Sequence, residues 1–451
     1  MSESSEQKTP DRLQLFYEAL HSGTLTQVHR MLNEMHPAEI ALLLESLPAE
    51  ERNTVWELVN PESAGDILTQ VGENVRASLI RQMASHELVA ATEGLDPDDL
   101  ADLLPEMPEG VIQRILTSMD EQERQRLEAV LPYPEDTAGG LMNVDTVTVR
   151  ANITLDVVLR YLRRRGEIPE TTDQLVVVNR DGRYLGLLNL TTLLTHDPAL
   201  TVAEVMTRDV EAIVANMPAE QVAKLFERRD LVTAPVVNEE GRLLGRITID
   251  DVVDVIREEA EHSFMSMAGL REEEDVFAPV ISATRRRAVW LGVNLLTAFL
   301  ASWVIGLFDA SIQKLVALAV LMPIVASMGG IAGTQTLTLV IRGIALGQVS
   351  GGNALRLLRR EISVGLLNGL IWATVIAVVA ALWFDNDKLG VVIASAMVIN
   401  LAMAALAGAT LPLLLRRLGA DPALAGGVIL TTITDVVGFL SFLGLATLFL
   451  L

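Results

Sequence analysis

Ala423 to Leu451 reads ALAGGVILTTITDVVGFLSFLGLATLFLL, an apolar run of 29 residues broken by one charge, Asp435. About 20 residues cross a hydrocarbon core as an α-helix, so this run reads as a membrane span. An ionised carboxylate at that depth costs about 2.5 to 3.5 kcal/mol on insertion scales, and it implies a cation, a partner or a water-filled path. Helical spacing places Gly427, Thr431, Asp435 and Gly438 on one face, with Thr434 beside them. Such a stripe is a wall against water or against another helix. No Lys or Arg stands within a span to neutralise Asp435, except near the ends.

Four further runs precede it: residues 288–308, 315–341, 362–384 and 389–415. In these five runs Asp435 is the one acidic side chain. The arginines sort by loop. Arg285, Arg286 and Arg287 precede the first run, Arg342, Arg356, Arg359 and Arg360 lie between the second and third, and Arg416 and Arg417 follow the fourth. The alternate loops hold Lys314 and Lys388. This asymmetry orients a five-span protein of the cell (inner or plasma) membrane with its N-terminus cytoplasmic and its C-terminus extracytoplasmic. The second run, PIVASMGGIAGTQTLTLVIRG, combines Pro323, the pair Gly329 and Gly330, Gly333 and the polar residues Thr334, Gln335 and Thr336. Gly329 and Gly333 form a GxxxG that fits close helix packing. The same glycines would let carbonyls face an ion path, and both readings stay open.

Charge divides the chain. From Val276 onward there are 11 basic and 6 acidic residues, a net +5, whereas the preceding part carries −28 of the total −23. An acidic polar part fused to a mildly basic apolar part attracts divalent cations and repels nucleic acid. With no cysteine and none of the six histidines in a span, the membrane part offers oxygen ligands only, which disfavours Cu⁺ and Zn²⁺ and suits a hydrated Mg²⁺. Twofold pairing would bring two copies of Asp435 near one axis. The polar N-terminus MSESSEQKTPDR has no apolar core, so no signal peptide is expected there. No nucleophile and base pattern, HExxH or P-loop is present, and an enzyme is not expected.

Residues 11–132 read as short helices broken at Pro and Gly, such as HPAEIALLLESL and DPDDLADLLPEM, and predict a small helical superhelix. A duplication follows, over 141–200 and 201–257. VVNRDGRYLGLLNLTTLL (Val177–Leu194) and VVNEEGRLLGRITIDDVV (Val236–Val253) match at an offset of 59, whereas the segments beginning at Met142 and Met206 match at 64. Each copy reads strand, helix, strand, turn, strand, helix, and the pair resembles tandem CBS domains, regulatory modules that sense nucleotides or ions. An adenine nucleotide at this pair is one expectation, a ligand-free repeat the other. Residues 250–275 then predict an amphipathic connecting helix, with Val252, Val253, Val255 and Ile256 on one side.

The whole chain resembles the MgtE family of magnesium channels and transporters, through YPEDTAGGLM (Tyr133–Met142), TIDDVVDVI, MGG and AGTQ within Met328–Gln335, LLRRLGADPAL (Leu414–Leu424) and TDVVGF (Thr434–Phe439). The resemblance implies a multidomain homodimer in membrane lipid: an all-α N domain, an α/β CBS pair, a plug helix and an α-helical membrane domain of five transmembrane helices. It implies a Mg²⁺ pore between the second and fifth spans of both subunits, with Asp435 as the pore acid. Thr431, Thr434, Gly427, Gly329, Gly330, Gly333 and Gln335 would line it, with Asp421 on its cytosolic side. It also implies gating by intracellular Mg²⁺ on Asp98, Asp99 and Asp102, on Glu220 and Asp230, and on Asp250, Asp251, Asp254, Glu258 and Glu259. Moving 99:1 open to 1:99 takes about 5.5 kcal/mol, and one site at tenfold its dissociation constant supplies about 1.4, so roughly four sites would suffice. The chain departs from the family where Ile331 replaces an Asn, and where His262 and Ser263 replace acids. Ile331 opens an alternative, broader Co²⁺ or Mn²⁺ transport. A non-conducting membrane-anchored sensor is the other.

Overall fold

The computed structural model describes residues 16, 19–20 and 25–451, apart from 170, 271–274 and 350–351. The N-terminal segment, the first residues of the expected helical domain and the acidic end of the expected connecting helix therefore lie outside the described residues. The chain divides into two units, residues 1–261 with 273–278, and residues 262–272 with 279–451.

In the first unit, nine short α-helices run from Leu25–Asn33 to Glu121–Val130 among the described residues. Several start where the sequence places Pro or a capping side chain. Helix Pro37–Glu45 begins with Pro37, and Glu39 accepts a hydrogen bond from the His36 backbone N–H at 3.0 Å. Their inner faces bury Leu43, Leu44, Ile67, Leu79, Leu100 and Ile115 in one continuous core. Arg52 is 2% exposed there, donating to the carbonyls of Leu44 and Leu47 at 2.8 and 3.0 Å and to Asp275 at 2.8 Å. A buried guanidinium is tolerable only when its donors are occupied in this way.

The duplication is literal in three dimensions. Strands β1 (Thr148–Arg150), β2 (Gln174–Val178) and β3 (Tyr184–Asn189) form one sheet; β4 (Ile213–Val214), β5 (Thr233–Val237) and β6 (Leu243–Thr248) form the other. In each, the first pair is parallel, the second antiparallel, and the register slips at Val177/Val178 and at Val236/Val237. Val149 pairs with Val177 and Ile213 with Val236, which reproduces the two offsets. The length difference sits after the first helix of each copy: residues 166–173 precede β2, whereas 230–232 precede β5. Gln174 joins the copies, its amide donating to Thr233 O and Oγ1 at 2.9 and 2.8 Å.

The connecting helix runs over Ile249–Met267 and ends short of the expected 275. Gly269 adopts φ +72°, and a Cβ there would lie 1.9 Å from Trp290 Nε1, so the turn needs glycine. The expected apolar face also splits: Val252 is buried and Val255 packs beside it, whereas Val253 and Ile256 are exposed. Four apolar positions within five residues cover too wide an arc at 100° per residue to share one face.

Five apolar helices follow: Val280–Gly306, Ala317–Ala345, Ala354–Phe384, Asp387–Arg417 and Pro422–Phe449. Several exceed the apolar runs because flanking charged residues extend the same helix. The third starts at Ala354 and thereby buries Glu361, 4% exposed, within 2.8 Å of Arg360. The fourth helix is the centre, packed against the second, third and fifth. It is rich in Ala and Gly on its inner faces, which lets backbones approach where lipid offers no hydrophobic drive.

Candidate functional site

In the membrane unit, the second and fifth spans frame an open cleft of roughly 480 Å³. Ala326, Ser327, Gly330, Ile331, Thr334 and Gln335 form one wall, Thr431 and Asp435 the other. Every polar group among them is an oxygen or amide, with one carboxylate, the donor set of a hard cation. Six waters at roughly 30 Å³ each occupy about 180 Å³, so the volume accommodates a hydrated ion. Ile331 is 56% exposed and adds an apolar element to the wall.

Of the residues expected to line a pore, Gly330, Gln335, Thr431 and Asp435 come together in this cleft, and the others do not. Thr434 is fully buried, one position and 100° from Asp435, and its hydroxyl donates to the Thr431 carbonyl at 3.0 Å. Gly329 is turned to Asn400 and Gly333 to Leu430, inside the helix packing. Gly427 is half-buried outside the lining, and its carbonyl accepts from the Thr431 hydroxyl at 2.9 Å. Asp421 caps the fifth span, accepting from the backbone of Ala423 and Leu424 at 2.8 and 3.2 Å, with His262 Nε2 3.5 Å from its Oδ2. Among the buried polar residues of the membrane unit that escaped the sequence reading are Glu361 and Asn400. Glu361 sat just outside the apolar run, and Asn400 was visible only as the lone amide in SAMVINLAMA.

A second site lies in the first unit. Helix Pro97–Leu103 carries Asp98, Asp99 and Asp102 on its first turns, and the connecting helix carries Asp251 on its own. Asp98 is 8% exposed, and its Oδ1 has no hydrogen-bond partner among the described residues. Burial, then the charges of Asp251, Asp99 and Asp96, push its carboxyl up to about 8. Burial also lifts Asp99 to about 6, reinforced by Asp96, Asp66, Asp250 and Asp254. Asp102 rises to about 7 through burial, Glu135 and Asp99, against the opposing Arg76. Asp251 rises to about 7, mainly by burial, although Thr248 donates to it at 2.8 Å. Acids of the two helices thus act on one another: Asp251 on Asp98, and Asp250 and Asp254 on Asp99. Among the described residues no three of these carboxylates converge as one metal shell, so the acids form a diffuse field. Glu258 adds to it at Asp102. Glu220 instead pairs with Lys224, Asp230 ends its helix at φ 51°, and Glu259 is exposed.

Comparison with known proteins follows the same division. Residues 35–136 match the model described as MgtE intracellular N domain, 138–198 and 202–258 match CBS domain, and 322–445 match a divalent cation transporter domain named MgtE. The magnesium transporter MgtE of Thermus thermophilus is 34% identical over 438 residues, 96% of this chain and 97% of its own. The chain belongs to the MgtE family of magnesium transporters. The Bacillus subtilis MgtE is 29% identical, covering 96% of each chain. Among solved structures, the cytosolic domain of the Mg²⁺ channel MgtE in complex with ATP is 36% identical, covers 53% of this chain and 98% of that one, and has a TM-score of 0.48. By family the protein is a membrane ion transporter. The expected three-part architecture of helical N domain, CBS pair and five apolar helices matches what is observed.

Proposed function

We propose that this MgtE protein is a homodimeric Mg²⁺ channel whose pore joins the open clefts of two subunits. The observation that carries the reading is Asp435, half-buried at mid-span in an oxygen-lined cleft open on one side. A second copy facing the cleft would enclose a hydrated ion between two carboxylates, with Thr431, Gln335 and Ser327 as neutral donors. Mg²⁺ gives up its waters reluctantly, so these groups would act on its hydration shell and leave it able to move on.

Gating is proposed to rest on the acidic cluster. Intracellular Mg²⁺ between the Asp98, Asp99 and Asp102 helix and the connecting helix offsets their repulsion and holds the shut state; its loss lets them separate. The CBS pair is proposed to take an adenine nucleotide, which rests on the duplicated domain match. The arginine-rich loops support a cytoplasmic position for the acidic part. The exposed Ile331 favours some tolerance of Co²⁺ or Mn²⁺, a second reading within the same pore. Purified protein in liposomes tests the core of this: wild type is expected to take up Mg²⁺, and Asp435→Ala to lose uptake. Equal uptake by the two would overturn the pore assignment.

A further inference from the structure

Asn400 has no solvent exposure, yet it carries a carboxamide at the middle of the fourth span. Its Nδ2 donates to the Val325 carbonyl of the second span at 2.9 Å, while its Oδ1 has no hydrogen-bond partner among the described residues. A half-satisfied amide is a poor choice for stability alone, since an apolar side chain of similar size would leave nothing unpaired. Its surroundings point elsewhere. A Cβ on Gly329 would lie 2.2 Å from Asn400 Nδ2, and one on Gly438 would lie 2.8 Å from the same atom. Gly329 adjoins Gly330 of one cleft wall, and Gly438 stands one helical turn beyond Asp435 of the other. Asn400 therefore sits behind the cleft, wedged between its two walls and bonded to one of them.

We propose that Asn400 is a positioning residue that sets the spacing between the Ser327–Gln335 wall and Asp435, and through it the preference for Mg²⁺ over Co²⁺. The inference rests on the cleft being the ion path. Asn400 touches no ion; it acts through the Val325 carbonyl and the two glycines, which are cut back to admit it. Mg²⁺ keeps its waters and meets the wall through them, whereas Co²⁺ exchanges waters more readily and can meet wall groups directly, so the spacing of the walls bears on which ion is preferred.

The test compares Mg²⁺ and Co²⁺ uptake into liposomes by wild type, Asn400→Ala, Gly329→Ala and the double variant, each normalised to monodisperse protein of measured melting temperature. Asn400→Ala is expected to lower the Mg²⁺:Co²⁺ ratio about fivefold, the scale of one interhelical hydrogen bond. Gly329→Ala alone, colliding with Asn400, is expected to depress uptake, and the double variant to recover uptake without recovering the ratio. The double variant also fills part of the space left by the amide, so the ratio remains readable if Asn400→Ala itself does not fold. A wild-type ratio in both Asn400→Ala and the double variant overturns the inference while leaving the channel standing. Absence of Asp435-dependent Mg²⁺ uptake in wild type overturns the channel and the inference with it.

Discussion

The protein holds two carboxylate sites of opposite design. In the cleft, one aspartate stands among hydroxyls, an amide and glycine, the one acid in the lining among the described residues. In the cluster, burial first and neighbouring acids second raise the cost of charging Asp98, Asp99, Asp102 and Asp251. An isolated carboxylate with neutral neighbours attracts a cation without trapping it, which suits passage. A crowded set is unstable until a cation or a proton arrives, which suits sensing.

The largest way to break this contrast is to remove the crowding. At about pH 8.5, where both carboxyls are largely ionised, Asp98→Asn with Asp251→Asn removes two facing charges, so the connecting helix should resist protease at lower Mg²⁺, the midpoint falling about tenfold, or about 1.4 kcal/mol of relieved repulsion. Unchanged Mg²⁺ dependence in limited proteolysis would show that repulsion is not what opens the contact.

Protons should then imitate Mg²⁺. A carboxyl whose folded pKa is raised contributes stability that is fully present below its ordinary value near 4 and is lost as pH climbs through the folded value. For Asp99, Asp102, Asp251 and Asp98 those folded values are about 6, 7, 7 and 8. In cation-free buffer the contact should therefore be protected at about pH 5.5 and progressively exposed toward about pH 8.5, with Mg²⁺ most effective at the alkaline end because it must displace protons. Proteolysis across that range measures it, and flat protection would refute it.

Smaller effects sharpen the cleft side. Ile331→Asn puts a carboxamide into the wall and should raise the Mg²⁺:Co²⁺ uptake ratio about threefold, by the scale of one added hydrogen bond to a hydrated ion. Glu220→Gln should do least, moving the Mg²⁺ midpoint of protection less than about twofold, since this exposed acid is already paired with Lys224. A large shift on Glu220→Gln would extend the sensing field beyond the two facing helices.

Much of this was legible beforehand. The five spans follow from uninterrupted apolar length, and the duplication from a repeat that survives as identical strand pairing. Asp435 was conspicuous because a charge in an apolar run has few explanations. Less legible were directions. Helical spacing groups Thr434 and Gly438 with Asp435, yet both turn into the bundle, because a stripe drawn at helical spacing does not say which edge a neighbouring helix covers. Likewise, the connecting helix stops at Met267 because Gly269 must clear Trp290, a residue twenty-one positions later.

Sequence alone determined the number of spans, the membrane character of the second half, the paired regulatory module and the oxygen-only chemistry of the spans, since each depends on composition or on spacing along one segment. The tertiary structure decided which acids are buried together, which glycines face the cleft and which face Asn400, and why Asp98 holds its proton near pH 8. Desolvation and steric fit are set by atoms distant in sequence, and no local pattern encodes them.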